Sequence, residues 1–319
     1  MIRVSLGTAA RLGQIEMRMD SPPTTAYLLH GESCSRDCAF CRQARSSRGQ
    51  AGRLGRIIWP AFPTREVLAS LGQASGRGFS RVCLQAVREP GGREVLCRLI
   101  DDIKNAASSL PLSASLPVDT GVEAGNYFRA GADRLSIALD AASPEIFSRY
   151  RGGNFKRHLQ LIIDCARRWE GRISTHIICG LGETEGELIK LLALLVEEKI
   201  RVGLFAFTPL KGTRLAGNPP PLPQVYRRIQ AAHYLLRLGV IAGRDLSFRE
   251  GNLLSLGLSK HELHGLLQDG TAFQTSGCPG CNRPYYNERP GGFIYNYPRP
   301  LSVAEVEQAL ALVLDPAKI

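Results

Sequence analysis

Short apolar and β-branched runs alternate along the chain with segments whose apolar residues recur every three or four positions. The short runs are TTAYLLH (24–30), RVCLQA (81–86), PLSASL (111–116), RLSIAL (134–139), RISTHIIC (172–179) and RVGLFAFTPL (201–210), and each reads as a strand. Between them lie helical stretches: PTREVLASLGQAS, opened by Pro63 and Thr64, then REVLCRLIDDIKNAA, VEAGNYFRAG, SPEIFSRY and ETEGELIKLLALLVEEK. Six strand–helix alternations predict a parallel sheet joined by crossover helices. Strands such as LSASL and ISTHII mix polar with apolar positions, which suits a curved sheet around a partly polar lumen. A doubly wound open sheet would favour continuous Val, Ile and Leu. The expected fold is α/β, a partial (β/α)6 barrel of the TIM type.

The pattern changes after residue 217. NPPPLP (218–223) is a proline-rich break, QVYRRIQAAHYLLRLG a further helix, and the remainder reads as loop-rich. A final amphipathic helix is opened by Ser302 with Glu305 three residues on, a capping box. The expected organisation is a barrel over 1–217 and an extension over 218–319 that closes it.

Composition is that of a globular protein, 44% hydrophobic and 22% charged over 319 residues, enough for one large α/β domain or two small ones. No apolar run approaches the roughly 18 residues of a membrane span. The start, MIRVSLGTAARLGQIEMRMD, has no uninterrupted apolar core with a cleavage site, so no signal peptide is expected and the cytoplasm is the expected location. Nine cysteines is an odd count, which points to metal ligation and away from a disulfide framework. The net charge of +11 suits acidic partners, nucleic acid or protein; a scattered Arg-rich surface with no specific partner is the bland alternative. The dense basic run RQARSSRGQAGRLGR has little aromatic interleaving, so a nucleic-acid groove is not expected.

Three cysteines fall within eight residues in CSRDCAFC: Cys34, Cys38 and Cys41. Thiolates at this spacing can turn to one point from a single loop. Structural zinc prefers four protein ligands, whereas three ligands on a four-iron cluster leave one iron open to a small chelator. A zinc or electron-transfer site is the bland alternative. The C-x3-C-x2-C spacing, with Phe40 before the last cysteine, resembles the signature of the radical S-adenosylmethionine (SAM) superfamily. The resemblance implies a [4Fe–4S] cluster, SAM at its open iron, and one-electron cleavage to a 5′-deoxyadenosyl radical. It implies the partial barrel too, with the cluster loop after its first strand.

Further matches extend the resemblance. GLGE, Gly180 to Glu183, is similar to the end of the family's GxIxGxxE motif on the adenine side; His176 stands where its first Gly would be, as a cofactor neighbour or an ordinary strand histidine. Asp140, ending LSIALD, matches the acidic residue that bonds the SAM ribose in biotin-synthase-like members; alternatively it caps SPEIF. The usual GGE motif for the SAM amine is replaced by VCLQAVREPGG.

A second pair, Cys278 and Cys281, flanks a Pro-Gly turn. Such a knuckle presents two sulfurs to one metal, and a redox dithiol or half a zinc site are the alternatives. Of the other cysteines, Cys97 and Cys165 lie among apolar helix neighbours, and Cys179 should face the helical layer. Strand alternation puts Val82, Leu84 and Ala86 toward the helices and Cys83 with Gln85 toward the lumen. The chain resembles biotin synthases over most of the barrel, where lumen cysteines hold an auxiliary cluster that supplies sulfur. Cys83 matches one of them, while Ser113 and Ser174 stand in place of two others. The resemblance thus implies a second iron–sulfur cluster held by Cys83, Cys278 and Cys281, with either serine as a candidate fourth ligand.

SGCPGCNRPYYNERPGGFIYNYPRP, with FAFTPLKGT and THIICGLGET, is similar to a biotin-synthase-annotated group that acts as one half of a two-protein lipoyl synthase. That implies a sulfurtransferase inserting sulfur into an unactivated C–H bond of an octanoyl chain on a lipoyl carrier protein or domain. A second radical SAM component and an electron donor such as ferredoxin or flavodoxin are the implied partners. YYNERPGG is either an aromatic plug, with Glu288 and Arg289 paired, or a wall of the substrate channel. The competing readings are another biotin-synthase-like enzyme, such as a carbon-skeleton mutase, and a non-catalytic iron–sulfur protein.

Overall fold

The computed structural model describes residues 1–49, 52–288 and 291–314. Gln50 and Ala51 of the basic run, and Arg289, lie outside the described residues. Six strands form the parallel sheet that the alternation predicts. They are β2 (Thr25–His30), β4 (Arg81–Ala86), β5 (Leu112–Ser115), β6 (Arg134–Ser136), β7 (Ile173–Cys179) and β8 (Arg201–Ala206), side by side in chain order. Two edge strands were not foreseen. β1 (Ile2–Val4) pairs antiparallel with β2, and β3 (Ala61–Phe62) pairs antiparallel with β1. The sheet is therefore an open, partial barrel with an antiparallel margin.

Helices α2 (Thr64–Leu71), α3 (Gly92–Ala106), α4 (Gly121–Arg129), α5 (Pro144–Tyr150), α6 (Phe155–Arg168) and α7 (Glu185–Glu197) make the crossovers. Their starts follow from local chemistry. Thr120, Ser143, Asn154 and Thr184 each accept the amide hydrogen bond of an N-cap, and Thr184 with Glu187 completes a capping box. Their apolar faces pack on the outer face of the sheet. Leu96, Ile100 and Ile103 of α3 and Ile162, Cys165 and Ala166 of α6 join Val82, Leu84, Leu135 and Ile177 in one core. Each of these Leu, Ile and Val side chains contributes about 1.5–3 kcal/mol when buried.

β6 and β8 end earlier than the patterns suggest, because the chain turns inward there to line the lumen. The extension is also more regular than expected. It carries α8 (Pro223–Leu238), an antiparallel pair Ser247–Arg249 and Asn252–Ser255, α9 (Lys260–Leu267) and α10 (Val303–Leu314). No described helix is long and apolar enough to cross a membrane.

Segment 276–288 fills the open side of the sheet. On one flank the Leu204 amide donates to Ser276 Oγ at 2.9 Å and Asn287 Nδ2 donates to the Ala206 carbonyl at 2.9 Å. On the other, the Thr24 amide donates to Asn282 Oδ1 at 3.0 Å and the Arg283 amide to the Tyr27 hydroxyl at 2.9 Å.

Candidate active site

β2 delivers the chain to the first cysteine loop. Gly31 makes the turn with φ 97°, and a Cβ there would stand 2.4 Å from Val87 Cγ2, so only glycine fits. Glu89 then accepts from the amides of Glu32 at 2.7 Å and Ser33 at 3.3 Å. The loop is pinned further by Ser35 N to Arg88 O at 2.8 Å and Ala39 N to Tyr150 O at 2.7 Å. Cys34, Cys38, Phe40 and Cys41 line one lumen of about 350 Å³.

Burial pushes the Cys38 thiol up to about 11, with Asp140 adding to the rise and Arg151 opposing it. Burial pushes Cys41 up to about 12, against an amide hydrogen bond from Gln43 to its sulfur at 3.4 Å. Buried thiols with neighbouring guanidiniums and a donating amide suit a cationic iron centre, which would take the place of their protons. Among the described residues no three His, Cys, Asp or Glu side chains close on a single ion. A lone zinc would draw its sulfurs to within about 4 Å of one another. The all-thiol donor set fits a cluster with one iron left open.

Asp140 also lines the lumen. It has φ 68°, and its amide and carbonyl bond His176 O and Ile178 N at 2.8 Å each. The cap of α5 is Ser143, whose Oγ accepts from Ile146 N, so the helix-cap alternative for Asp140 does not hold. Its carboxylate instead accepts from Arg151 Nε at 2.8 Å. Gly180 and Glu183 are not in the lumen wall. The Glu183 carboxylate accepts from the amides of Gly180 at 2.6 Å and Leu181 at 3.0 Å, and a Cβ on Gly180 would meet Pro221 at 2.9 Å. This pair shapes the turn after β7, and Ile178 is the residue of that stretch that reaches the cavity. His176 faces the lumen, with Nε2 3.3 Å from Ser136 Oγ and its ring edge-on to Phe205. Burial, reinforced by Arg283, lowers it to about 4, so it is neutral.

The second cysteine set lines the same lumen. Cys83 and Gln85 project inward from β4 while Val82 and Leu84 enter the core, as alternation predicts; Ala86, expected with the latter two, packs against the core but also reaches the lumen at the strand's end. Burial raises the Cys83 thiol well above its usual value, and Cys278 and Cys281 are the next contributors, which places the three sulfurs in one neighbourhood. The Tyr27 hydroxyl lies 3.2 Å from Cys281 Sγ, and Ser113 Oγ donates to Cys278 Sγ at 3.4 Å. Ser174 spends its hydroxyl on the Leu135 carbonyl at 3.4 Å, so Ser113 is the better placed serine. Cys165 and Cys179 are core residues.

Sequence reasoning missed two groups, Arg283 and Glu89. Arg283 packs its guanidinium over Phe205, 4.0 Å from the ring centroid, beside Cys281. Tyr286, from the YYNERPGG run, lines the lumen as the channel-wall reading expects, and it packs with Cys34, Cys83 and Cys281 against one apolar cluster. Glu89 takes up the place of the missing GGE motif, as a brace for the loop. Glu288 is buried, bonded by the Asn296 amide at 2.9 Å.

Comparison with known proteins agrees with this arrangement. The family model of the radical SAM superfamily matches residues 28–195. The chain is 24% identical over 202 residues to GTP 3′,8-cyclase of Trichormus variabilis, a match covering 59% of this chain and 57% of that protein. It is 25% identical over 237 residues to biotin synthase of Staphylococcus haemolyticus, covering 70% of each. The crystal structure of methylornithine synthase superposes with a TM-score of 0.51 at 19% identity, covering 67% of this chain and 62% of that one. With the cysteine loop at the end of β2 and a matching model over more than half its length, the chain belongs to the radical SAM superfamily.

Proposed function

We propose that this protein is a radical SAM sulfurtransferase that inserts sulfur into an unactivated C–H bond of an octanoyl chain on a lipoyl carrier protein, as one component of a two-protein lipoyl synthase. The observation that carries the reading is the convergence of Cys83, Cys278 and Cys281 on the lumen that Cys34, Cys38 and Cys41 also line. Superfamily membership implies a [4Fe–4S] cluster and SAM at the first set. That pair supplies hydrogen abstraction from carbon, and an auxiliary cluster at the second set would supply sulfide.

The chain's own residues set distance and keep water out. Tyr27, Leu29, Trp59 and Val87 form an apolar cluster against which Cys34, Cys83, Cys281 and Tyr286 pack. A dry wall limits stray hydrogen and proton donors around a reactive carbon. Asp140 and Arg151 supply polar contacts for SAM beside Cys38. The octanoyl arm enters at the C-terminal ends of the strands, where barrel enzymes place their chemistry, and an acidic carrier suits the +11 charge. An electron donor such as ferredoxin or flavodoxin serves the first cluster.

The test is the double variant Cys278→Ala/Cys281→Ala. It should still form 5′-deoxyadenosine under reduction while placing no sulfur on an octanoylated carrier. Full iron content with thiolated product would overturn the assignment. A carbon-skeleton mutase needs no second sulfur site, so its turnover would survive the same change.

A further inference from the structure

Beneath the Cys278–Cys281 turn lies a second cavity, of about 750 Å³. Gly171, Ile200 and Arg201 in its wall stand at the N-terminal ends of β7 and β8, so it opens on the face opposite the first cysteine loop. Gly277, Cys278 and Cys281 line this cavity and the lumen both. The knuckle is thus a partition one loop thick between the second cysteine set and the basal face.

The charge around this cavity is one-sided. Arg201 and Arg237 stand exposed in its wall, and neither makes an ion pair among the described residues. Behind them is Arg134, whose Nη1 is buried without a hydrogen-bond partner. Its immediate surroundings are the Cys278 sulfur and the guanidiniums of Arg201, Arg81 and Arg172. Arg81 donates to neutral oxygens alone, Pro279 O at 3.3 Å and Ser113 Oγ at 3.0 Å. Lys199 is committed to Glu170. An unpartnered buried guanidinium nitrogen on Arg134, with like charges around it, is unfavourable unless an anion joins them, and the exposed Arg201 and Arg237 would draw that anion in. None of them serves the SAM site, which lies at the other end of the barrel.

We propose that the basal cavity is an anion site through which hydrosulfide reaches the Cys83/Cys278/Cys281 site from the N-terminal face. This rests on reading that cysteine set as an iron–sulfur site. At neutral pH hydrosulfide is largely the monoanion HS⁻, which the guanidiniums attract, and Cys278 and Cys281 line both the basal cavity that would receive it and the lumen. Exchange with a bridging sulfide is balanced: HS⁻ enters and leaves its sulfur as S²⁻, its proton departs with the displaced sulfide as HS⁻, and no electrons move. The C-terminal mouth stays free for SAM and substrate.

The test uses a Cys34→Ala/Cys38→Ala/Cys41→Ala background, in which the second site alone holds iron. Loaded protein is incubated with ³⁴S-labelled sodium sulfide, and label in the acid-labile sulfide is followed by mass spectrometry. Arg201→Glu/Arg237→Glu should slow exchange about tenfold or more, as reversed charge at a mouth slows anion entry. Arg201→Gln/Arg237→Gln should fall between. Inorganic phosphate should slow exchange in the parent and leave the reversed variant unaffected. On metal-free protein, phosphate should raise the Tm of the parent and not of the variant. Normal iron content with equal exchange rates overturns the anion route alone. A folded background protein that takes up no iron overturns the sulfur-donor reading and the route with it.

Discussion

Arg151 donates from Nε to the Asp140 carboxylate at 2.8 Å, and both side chains are largely withdrawn from water. The pair forms at the end of β6, where Asp140 holds φ 68° in a region that costs a residue with a Cβ about 1–2 kcal/mol. An Asp140→Gly variant should keep this backbone and lose the carboxylate. The SAM dissociation constant should rise about tenfold, the worth of one charge-assisted hydrogen bond, with iron content unchanged. Equilibrium dialysis with labelled SAM and an iron assay check both parts.

Removing any one of Cys34, Cys38 or Cys41 should abolish reductive 5′-deoxyadenosine formation. Cys38→Ala is the most informative, since its sulfur lies closest in influence to Asp140 and Arg151. Normal 5′-deoxyadenosine yield from it by chromatography would exclude the site as the SAM-cleaving centre.

Gly31→Ala should unseat the first loop without unfolding the barrel, because its Cβ would collide with Val87. Iron bound by the first set should fall severalfold, while the circular dichroism of the sheet and helices holds. Glu89→Ala, which frees the amides of Glu32 and Ser33, should do the same more weakly, by about 1–3 kcal/mol of loop stability.

Mild acid should destabilise the metal-free protein through its buried histidines. Burial lowers His158, His176 and His233 each to about 4 from 6.5. The folded state therefore favours the neutral ring. That stability is complete above pH 6.5 and is lost as the pH falls toward 4. Glu183 and Glu288 are raised by burial above 4.5 and act with the opposite sign in the same range, offsetting part of that loss. At pH 5.5 each histidine should cost about 1 kcal/mol. Urea unfolding at pH 7 and 5.5 measures the sum, and His233→Gln should remove about a third of it.

Much of this arrangement was legible in the chain. Period-two alternation in RVCLQA placed Cys83 inside because a strand has only two faces. The spacing of Cys34, Cys38 and Cys41 was readable because a single loop carries all three. The choice between Ser113 and Ser174 was not readable. Both face the lumen, and what separates them is where the Cys278 turn docks, a contact between residues far apart in sequence. β1 was missed because three residues, IRV, carry no period. Glu89 gave no signal either, since its partners are backbone amides, which every sequence has. YYNERPGG reads as a plug or a channel wall, and Tyr286 does line the lumen; its place beside the cysteines was not readable, because it depends on how segment 276–288 crosses from β8 to β2.

That crossing fixes an order in time. The three thiols of the first cysteine set leave the ribosome together within eight consecutive residues, and the contacts that brace their loop, from Arg88, Glu89 and Tyr150, follow by the middle of the chain. The second set joins β4 to a turn near the other end of the chain and does not exist until that turn has been made and seated. The two centres belong to different moments in the life of the molecule.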